Sequence, residues 1–416
     1  MLLSQEHIEH WKNKSKLFFR FIFSYFALYI ILMFLSPLFE SLYRWIGSTI
    51  LNIDYNYNVS GFGSGDHTYA YINLFVNVVL AVIIFTIWSI LDRQRKNYNK
   101  LFYWFLVIVR IFLIGFMFLY GFVKVFQIQF QSPSLLRLLQ PLGEFSPMGL
   151  AWMYMGYSKG FGIFAGLMEI IGGLLLISRK TTTLGAFVII GVMTQVAMMN
   201  LMFDIPVKLF SIHLVFMAAM IFITDIKRFF SVFIKNKSTE SYNYYYPISS
   251  PSYHKTIRTL KYIMVPLIII VACFLGYLGE LNVSDKNHKP SFYGIWESEL
   301  FIKNSDTITP LITDSQRWHY LIIERKGNAI VKTMDNQILR YNFITDTTNQ
   351  KISMYRVKGN ADSLNLSYLA RDKDYLQLEG RLKNDSINVK LFKKDLNDFP
   401  LKSRAFHWIN ERPYNL

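Results

Sequence analysis

Seven stretches of this 416-residue chain are apolar over about the length that a helix needs to cross a lipid bilayer. A hydrocarbon core about 30 Å thick requires roughly 20 mostly apolar residues in helical conformation. Six stretches meet this requirement, and the seventh, Gly160–Ser178, is shorter and rich in glycine. The six are Leu17–Phe39, Ala70–Leu91, Phe102–Phe126, Thr182–Phe203, Pro206–Ile226 and Leu260–Leu281. The sequence therefore predicts an integral membrane protein with seven transmembrane helices.

Lysine and arginine are concentrated in alternate loops of this topology, and they indicate the side of the membrane on which each loop lies. Basic groups flank the start of the first helix and fill the loops after the second, fourth and sixth. Because cytoplasmic loops carry such an excess, the N-terminus is expected in the cytoplasm and residues after about 283 outside. The first apolar run is too long and too aromatic for a cleaved signal peptide. We expect a multi-pass protein of the bacterial inner membrane with a periplasmic C-terminal domain.

The formal net charge of +16 comes mainly from these loops, so it does not indicate a nucleic-acid partner. The lipid bilayer is the expected partner, and basic loops attract its anionic headgroups. The single cysteine, Cys273, lies within the last apolar run. It excludes an intrachain disulfide and a cysteine-rich metal site, and no metal site is expected.

Composition divides the chain into five blocks. Two N-terminal helices are expected within residues 1–100, a four-helix membrane core within 101–230 and a cytoplasmic linker at 231–259. The seventh helix, at 260–282, leads to an extracytoplasmic domain at 283–416. The expected fold class is a multi-domain membrane protein, in which an all-α transmembrane bundle precedes an all-β antiparallel barrel.

The C-terminal block alternates apolar and polar residues with the period of two that is typical of strands. Eight short strands are predicted, which is the number whose closed barrel just holds its own side chains or one small ligand. They are Tyr293–Lys303, Arg317–Glu324, Asn328–Thr333, Ile338–Ile344, Gln350–Arg356, Ser363–Ala370, Tyr375–Arg381 and Ser386–Lys393. The aromatic tail Phe406–Tyr414 is expected to pack against this barrel.

Ionisable residues within the predicted spans are the candidate functional groups, because charges in hydrocarbon are costly and usually face the bundle interior. Helical rise places Arg110 and Glu169 at depths that differ by only about 4 Å, so an ion pair between them is predicted. Other polar residues are expected above them in a funnel that opens outward. The candidate site comprises Arg110, Lys124, Glu169, Gln195, Asn200, Asp204, Lys208 and His213.

Structural explanations compete with this functional interpretation. A buried Arg–Glu pair also serves to fix helix register, and Lys124 and Lys208 at helix ends often extend to the interface. A lone buried histidine such as His213 is commonly a hydrogen-bonded core residue. The functional interpretation depends on the convergence of several such groups in one four-helix block.

Residues 101–226 carry motifs that resemble the DoxX-like membrane family of four-helix proteins. The motifs are Arg110, Gly121-Phe-Val-Lys124, Glu169-Ile-Ile-Gly-Gly173, the basic turn Ser178-Arg-Lys-Thr181 and Leu184-Gly185-Ala186. The resemblance implies that Arg110, Lys124 and Glu169 face the bundle interior. It also implies a link to quinone-dependent redox chemistry, which occurs in some members, without fixing a reaction or a bound cofactor. A quinone is therefore the candidate cofactor.

The C-terminal block is similar to lipocalin-like barrels through Gly294-Ile-Trp296, which has their Gly-x-Trp form. The resemblance implies that Trp296 closes the barrel floor. It also implies that a late arginine, Arg404 or Arg412, stacks on that tryptophan in a cation–π contact.

Three functions remain open at this point. In the first, the bundle binds a quinone or similar lipophilic molecule and works with redox or other membrane protein partners. In the second, the protein is a carrier or sensor whose barrel binds a small apolar ligand. In the third, it is an assembly subunit whose buried charges only fix helix register.

Overall fold

The structure, a computed structural model, describes residues 10–53, 65–239, 247–248, 250–283, 289–357, 363–370, 372–382, 385–404 and 406–414. These residues belong to two compact units, which are described separately. The helical unit comprises Met1–Phe130 and Ser146–Leu278, and the barrel unit comprises Gln131–Phe145 and Gly279–Leu416. The division into the five predicted blocks stays a prediction.

The helices are numbered in chain order. They are α1 (Asn13–Leu35), α2 (Glu40–Trp45), α3 (Thr68–Leu91), α4 (Asn99–Val125), α5 (Leu135–Leu138), α6 (Pro147–Tyr157), α7 (Lys159–Ile177), α8 (Thr182–Met202), α9 (Lys208–Ile223), α10 (Ile226–Phe233), α11 (Pro251–Val283) and α12 (Pro400–Ser403). Among the described residues, six helical segments are long and apolar enough to cross a membrane. The number is seven if α9 and α10, which meet at a bend of 73°, form one broken span. This architecture is compatible with a multi-pass membrane protein.

The break between α9 and α10 shortens the sixth predicted span, which was expected to continue to Ile226. The chain turns after Ile223, where the Asp225 carboxylate accepts a hydrogen bond of 2.8 Å from the Thr183 hydroxyl. Arg228, on the next turn, forms a 2.8 Å ion pair with the same carboxylate. These polar contacts hold the turn against the start of α8.

A buried polar network fixes α1 against the loop between α3 and α4. Arg20 donates to the Tyr98 hydroxyl at 2.8 Å and to the Asp92 carbonyl oxygen at 2.6 Å. The Tyr98 hydroxyl donates in turn to the Asp92 carboxylate, and this hydrogen bond lowers the pKa of Asp92. Nearby, the Trp11 indole donates to Asn99 at 2.8 Å. Arg20 is therefore a structural cation rather than part of a ligand site.

Helices α4 and α7 cross so closely that glycine is required at the contact. A Cβ atom on Gly166 would lie 2.5 Å from the carbonyl oxygen of Gly121. A Cβ atom on Gly121 would lie 2.8 Å from the carbonyl oxygen of Gly166. Small residues allow this close approach between helices in membranes. The crossing positions the side chains that follow each glycine by one turn, Lys124 and Glu169.

Gly166→Ala is therefore expected to destabilise the helical unit by about 1–3 kcal/mol, because the new methyl group meets backbone rather than a movable side chain. Gly162→Ala is the matched control on the same helix, since its Cβ would meet its nearest atoms at an ordinary 3.9 Å. Thermal unfolding of the purified protein in detergent measures both effects. Equal melting temperatures for the two variants would show that the crossing is looser than this geometry.

Eight strands of the barrel unit form a closed antiparallel barrel, in which neighbours in sequence pair and the last strand pairs back with the first. A two-residue strand, β2, pairs antiparallel with the end of β1 and was not predicted. The strands are β1 (Gly294–Lys303), β2 (Asp306–Thr307), β3 (Trp318–Arg325), β4 (Asn328–Thr333), β5 (Ile338–Asp346), β6 (Lys351–Arg356), β7 (Ser363–Leu369), β8 (Tyr375–Leu382) and β9 (Asp385–Lys393). The period-two pattern thus predicted the barrel correctly.

The described interior of the barrel is a packed hydrophobic core. Two tryptophans, Trp296 and Trp318, are buried there with Phe301. Alternate residues of the later strands, such as Leu364 and Leu378, complete the core and are fully buried. An eight-stranded barrel has an interior just wide enough for side chains to fill. This interior is filled by the side chains of the strands themselves, which pack against one another.

The connection between α4 and α6 belongs to the barrel unit and covers part of its outer wall. Leu135 of α5 is buried against Ile295 and Ile322, which face outward from paired positions of β1 and β3. The backbone N–H of Leu135 donates to the Glu324 carboxylate at 3.1 Å. Lys332 donates to the Leu139 carbonyl oxygen at 3.3 Å. These contacts make the segment a structural part of the barrel wall.

The aromatic tail does not pack against the barrel as expected. Phe406, Trp408 and Ile409 are exposed, and Trp408 retains 90% of its accessible surface. The barrel core is filled by the side chains of its own strands, and these tail residues do not contribute to it.

Candidate ligand cavity in the helical unit

A cavity of about 490 Å³ lies in the helical unit between α4, α6, α7, α8 and α9. Most of its wall is apolar, and five methionines contribute to it. They are Met148, Met155, Met168, Met193 and Met199. Methionine side chains adapt to irregular ligands because they are unbranched and polarisable. The volume falls within the range of about 300–1,000 Å³ that small-molecule sites occupy.

Lys124 and Glu169 form a buried ion pair in the wall of this cavity. The Lys124 ammonium lies 2.9 Å and 3.0 Å from the two carboxylate oxygens of Glu169. Only 5% of the lysine side chain and 2% of the glutamate side chain are exposed. The ammonium also contacts the Tyr120 carbonyl oxygen at 3.5 Å and lies 5.4 Å from the Tyr120 ring centroid. Each charge thus has its partner, as burial requires.

The predicted ion pair between Arg110 and Glu169 is wrong. Arg110 instead donates to the carbonyl oxygens at the end of α7, at 2.6 Å to Leu176 and 3.3 Å to Ile177. The predicted similar depths are also wrong, because Arg110 of α4 meets α7 at Leu176, about 10 Å along that helix from Glu169. Lys124 takes the carboxylate because its Cβ lies beside Gly166, one turn before Glu169.

Two amide side chains add polar groups to the cavity wall. Gln195 lines the cavity, and its side-chain amide makes no hydrogen bond within the described residues. The buried Oε1 atom of Gln129, also in the wall, has no donor among the described residues. A ligand with both a donor and an acceptor would therefore find partners here.

Asn200 lines the cavity as predicted, but its amide is engaged. It donates to the Ser211 hydroxyl at 3.0 Å and to the Val207 carbonyl oxygen at 3.3 Å. The Ser211 hydroxyl donates in turn to the Lys208 carbonyl oxygen at 3.0 Å. This chain of hydrogen bonds ties the end of α8 to the first turn of α9.

Asp204 and Lys208 do not line the cavity. They pair with each other at 2.9 Å, and the Asp204 side chain is 84% exposed. The start of α9 is capped from a distant part of the chain by Asp66, whose carboxylate accepts from the N–H groups of Lys208 and Leu209 at 2.6 and 3.0 Å. A carboxylate at this position is favoured by the helix dipole.

His213 is also separate from the cavity, because it faces α1. Its Nδ1 lies 2.6 Å from the Leu209 carbonyl oxygen, which can only accept, so Nδ1 carries a proton. In the neutral ring Nε2 then accepts from the Tyr25 hydroxyl at 2.7 Å. The Tyr29 ring stacks on the imidazole with a centroid distance of 4.0 Å. His213 thus connects α9 to α1 as a core histidine with both ring nitrogens hydrogen-bonded. The polar residues predicted to form one funnel therefore lie in separate places.

In the barrel unit, the Trp296 indole donates to the Phe292 carbonyl oxygen at 2.7 Å, and Lys393 lies over its ring at 5.7 Å. Arg404 lies 4.2 Å from the Tyr414 ring centroid, and its role in barrel closure stays a prediction. Arg317 is a buried arginine of the barrel unit and donates to the carbonyl oxygens of Ile308 and Ser298. Burial lowers the pKa of Arg317.

The structure thus brings together four of the predicted site residues, namely Lys124, Glu169, Gln195 and Asn200, in one cavity. It places Arg110, Asp204, Lys208 and His213 elsewhere. Gln129, Tyr120 and the methionines were missed, although Gln129 lies only four residues after the end of α4. Among the described residues, no group of three or more histidine, cysteine, aspartate or glutamate side chains forms a metal site.

Comparison with known proteins leaves the family open. No protein-family model matches the chain, and no solved structure matches it. A stretch of 133 residues is 29% identical to the uncharacterised protein YwoB of Bacillus subtilis (strain 168). The alignment covers 30% of this chain and 79% of YwoB. The similarity supplies a relative for part of the chain without supplying a function.

Proposed function

We propose that this chain is a DoxX-like protein of the bacterial inner membrane whose helix bundle binds a quinone or another lipophilic small molecule. The observation that carries the proposal is the 490 Å³ apolar cavity with the Lys124–Glu169 ion pair in its wall. In this proposal α9 and α10 form one broken span, which makes seven spans with the N-terminus in the cytoplasm. The barrel then lies in the periplasm.

The polar groups of the cavity suit both redox forms of a quinone. The amide nitrogen of Gln195 is a donor for a quinone carbonyl oxygen. Glu169 retains acceptor positions for a quinol hydroxyl, because its carboxylate accepts only from Lys124 among the described residues. Redox partner proteins in the membrane belong to this proposal, and no reaction is assigned to the chain itself.

The alternative, in which the barrel carries a small apolar ligand, receives less support. A carrier barrel needs an open interior, whereas the described interior here is filled by two tryptophans and many branched side chains. A lipophilic ligand therefore has a better site in the helical unit.

A cavity-filling variant tests the proposal. Gly191 lines the cavity, and a Cβ atom there meets nothing within 4 Å, so Gly191→Leu places a side chain into free space. Gly115→Leu is the matched control, since its Cβ is equally free but it lines a separate apolar groove on α4. We expect a short-chain quinone to raise the melting temperature of the wild type and of Gly115→Leu, but not of Gly191→Leu. A similar rise in all three proteins would contradict binding in this cavity.

A further inference from the structure

Three cations lie at the C-terminal end of α7, which is the end farther from the cavity. Arg110 of α4 reaches the carbonyl oxygens of Leu176 and Ile177. Lys261 of α11 donates to the Ile177 carbonyl oxygen at 3.1 Å. Arg179 follows in the next turn of chain and bonds the Tyr103 hydroxyl. Arg110 and Lys261 thus share the carbonyl oxygen of Ile177, two residues before Arg179, which brings the three positive charges to one helix end.

The helix end does not balance this charge. The C-terminus of a helix carries a partial charge equivalent to about half an elementary negative charge. Arg110 and Lys261 alone bring two full positive charges, and their partners among the described residues are carbonyl oxygens rather than carboxylates. Within the part of the chain that the structure describes, at least one positive charge is therefore left uncompensated at this position.

Apolar side chains border the same cations. On α11, Met264 and Ile268 lie one and two turns from Lys261 on the same helix face and are exposed. On α4, Ile114 lies one turn from Arg110 and is half-buried. A ligand at this position thus meets positive charge at one end and an apolar helix surface at the other.

We propose that the cluster of Arg110, Arg179 and Lys261 binds the phosphate headgroup of an anionic phospholipid, whose acyl chains lie along α4 and α11. Basic groups between helices at the cytoplasmic side of a membrane are suited to anionic headgroups. The uncompensated charge is suited to a phosphate, and the exposed apolar residues are suited to acyl chains. This site is distinct from the cavity and does not depend on the quinone proposal.

Native mass spectrometry of the full chain, titrated with phosphatidylglycerol or with phosphatidylcholine, tests the assignment. Lys261→Gln is the informative variant, because the side chain is exposed and its loss should leave the helices folded. Lys255→Gln is the matched control, since this exposed lysine lies on the same helix, about 9 Å earlier and on another face. We expect Lys261→Gln to bind phosphatidylglycerol roughly fivefold more weakly than the wild type, with Lys255→Gln unchanged.

Three results would overturn the assignment. The first is equal affinity of the wild type for phosphatidylglycerol and phosphatidylcholine. The second is an equal loss in both lysine variants, which would indicate only general surface charge. The third is displacement of phosphatidylglycerol by inorganic phosphate but not by the same concentration of chloride. That result would identify a site for a free anion. Circular dichroism spectra of both variants verify that the helices are intact.

Discussion

Glu169→Gln is expected to destabilise the helical unit by about 3–5 kcal/mol, the cost of leaving one member of a buried ion pair without its partner. The Lys124 ammonium has no second carboxylate among the described residues, and its remaining contact is the Tyr120 carbonyl oxygen at 3.5 Å. The variant must either keep an unpaired charge in an apolar environment or lose the proton from Lys124. Thermal or denaturant unfolding in a fixed detergent measures the change.

The double variant Lys124→Met/Glu169→Gln separates stability from binding. It removes both charges and keeps similar side-chain volumes, and replacing a buried pair by uncharged groups is often neutral or stabilising. We expect most of the lost stability to return. If the pair serves the ligand, the double variant should bind quinone more weakly than the wild type although its stability has returned. Full binding by the double variant would assign the pair to helix register alone.

Leu135→Ala is expected to destabilise the barrel unit by about 2–5 kcal/mol, the range for a buried leucine whose site cannot collapse. Leu135 is 1% exposed and fills a cluster with Ile295 and Ile322 on the outer wall of the barrel. The reason is the lost burial of its side chain together with the space left between α5 and the sheet.

Leu142→Ala is the matched control for this prediction, because Leu142 belongs to the same short segment but is 74% exposed. Hydrogen exchange of the backbone amides of β1 and β3 in the full chain measures local stability of the wall. Faster exchange in Leu135→Ala, with Leu142→Ala at the wild-type rate, is the expected result. Equal rates in the two variants would show that α5 does not support the barrel.

Much of the fold could be predicted because its signals are local. Each barrel strand alternates apolar and polar residues, as Leu364 and Leu366 of β7 show, and turns separate the strands clearly. The long helices were equally plain from their apolar length. The position of the segment around Leu135 could not be predicted. Its leucines are compatible with an amphipathic helix on the membrane surface as well as with packing against strands that lie far away in the sequence.

The candidate site was harder to predict, because the depth of a residue on one helix relative to another depends on where the two helices cross. Counting from the predicted helix ends gave Arg110 and Glu169 similar depths, but the crossing at Gly121 and Gly166 places Lys124, about 21 Å from Arg110 along α4, beside the carboxylate. The partners of His213, Tyr25 and Tyr29, lie on α1, and the sequence alone does not show that α1 packs beside α9. For this reason His213 was assigned to the candidate site. Long-range packing therefore decided which polar residues share a cavity.

The most direct measurement for the central claim is the lipophilic content of the purified protein, determined by native mass spectrometry and extraction into organic solvent. Wild type and Gly191→Leu should be prepared in parallel from membranes in a mild detergent. The account predicts a quinone or similar molecule in stoichiometric amount in the wild type and its loss in Gly191→Leu. An empty wild-type protein, or the same molecule retained in both proteins, would contradict the account.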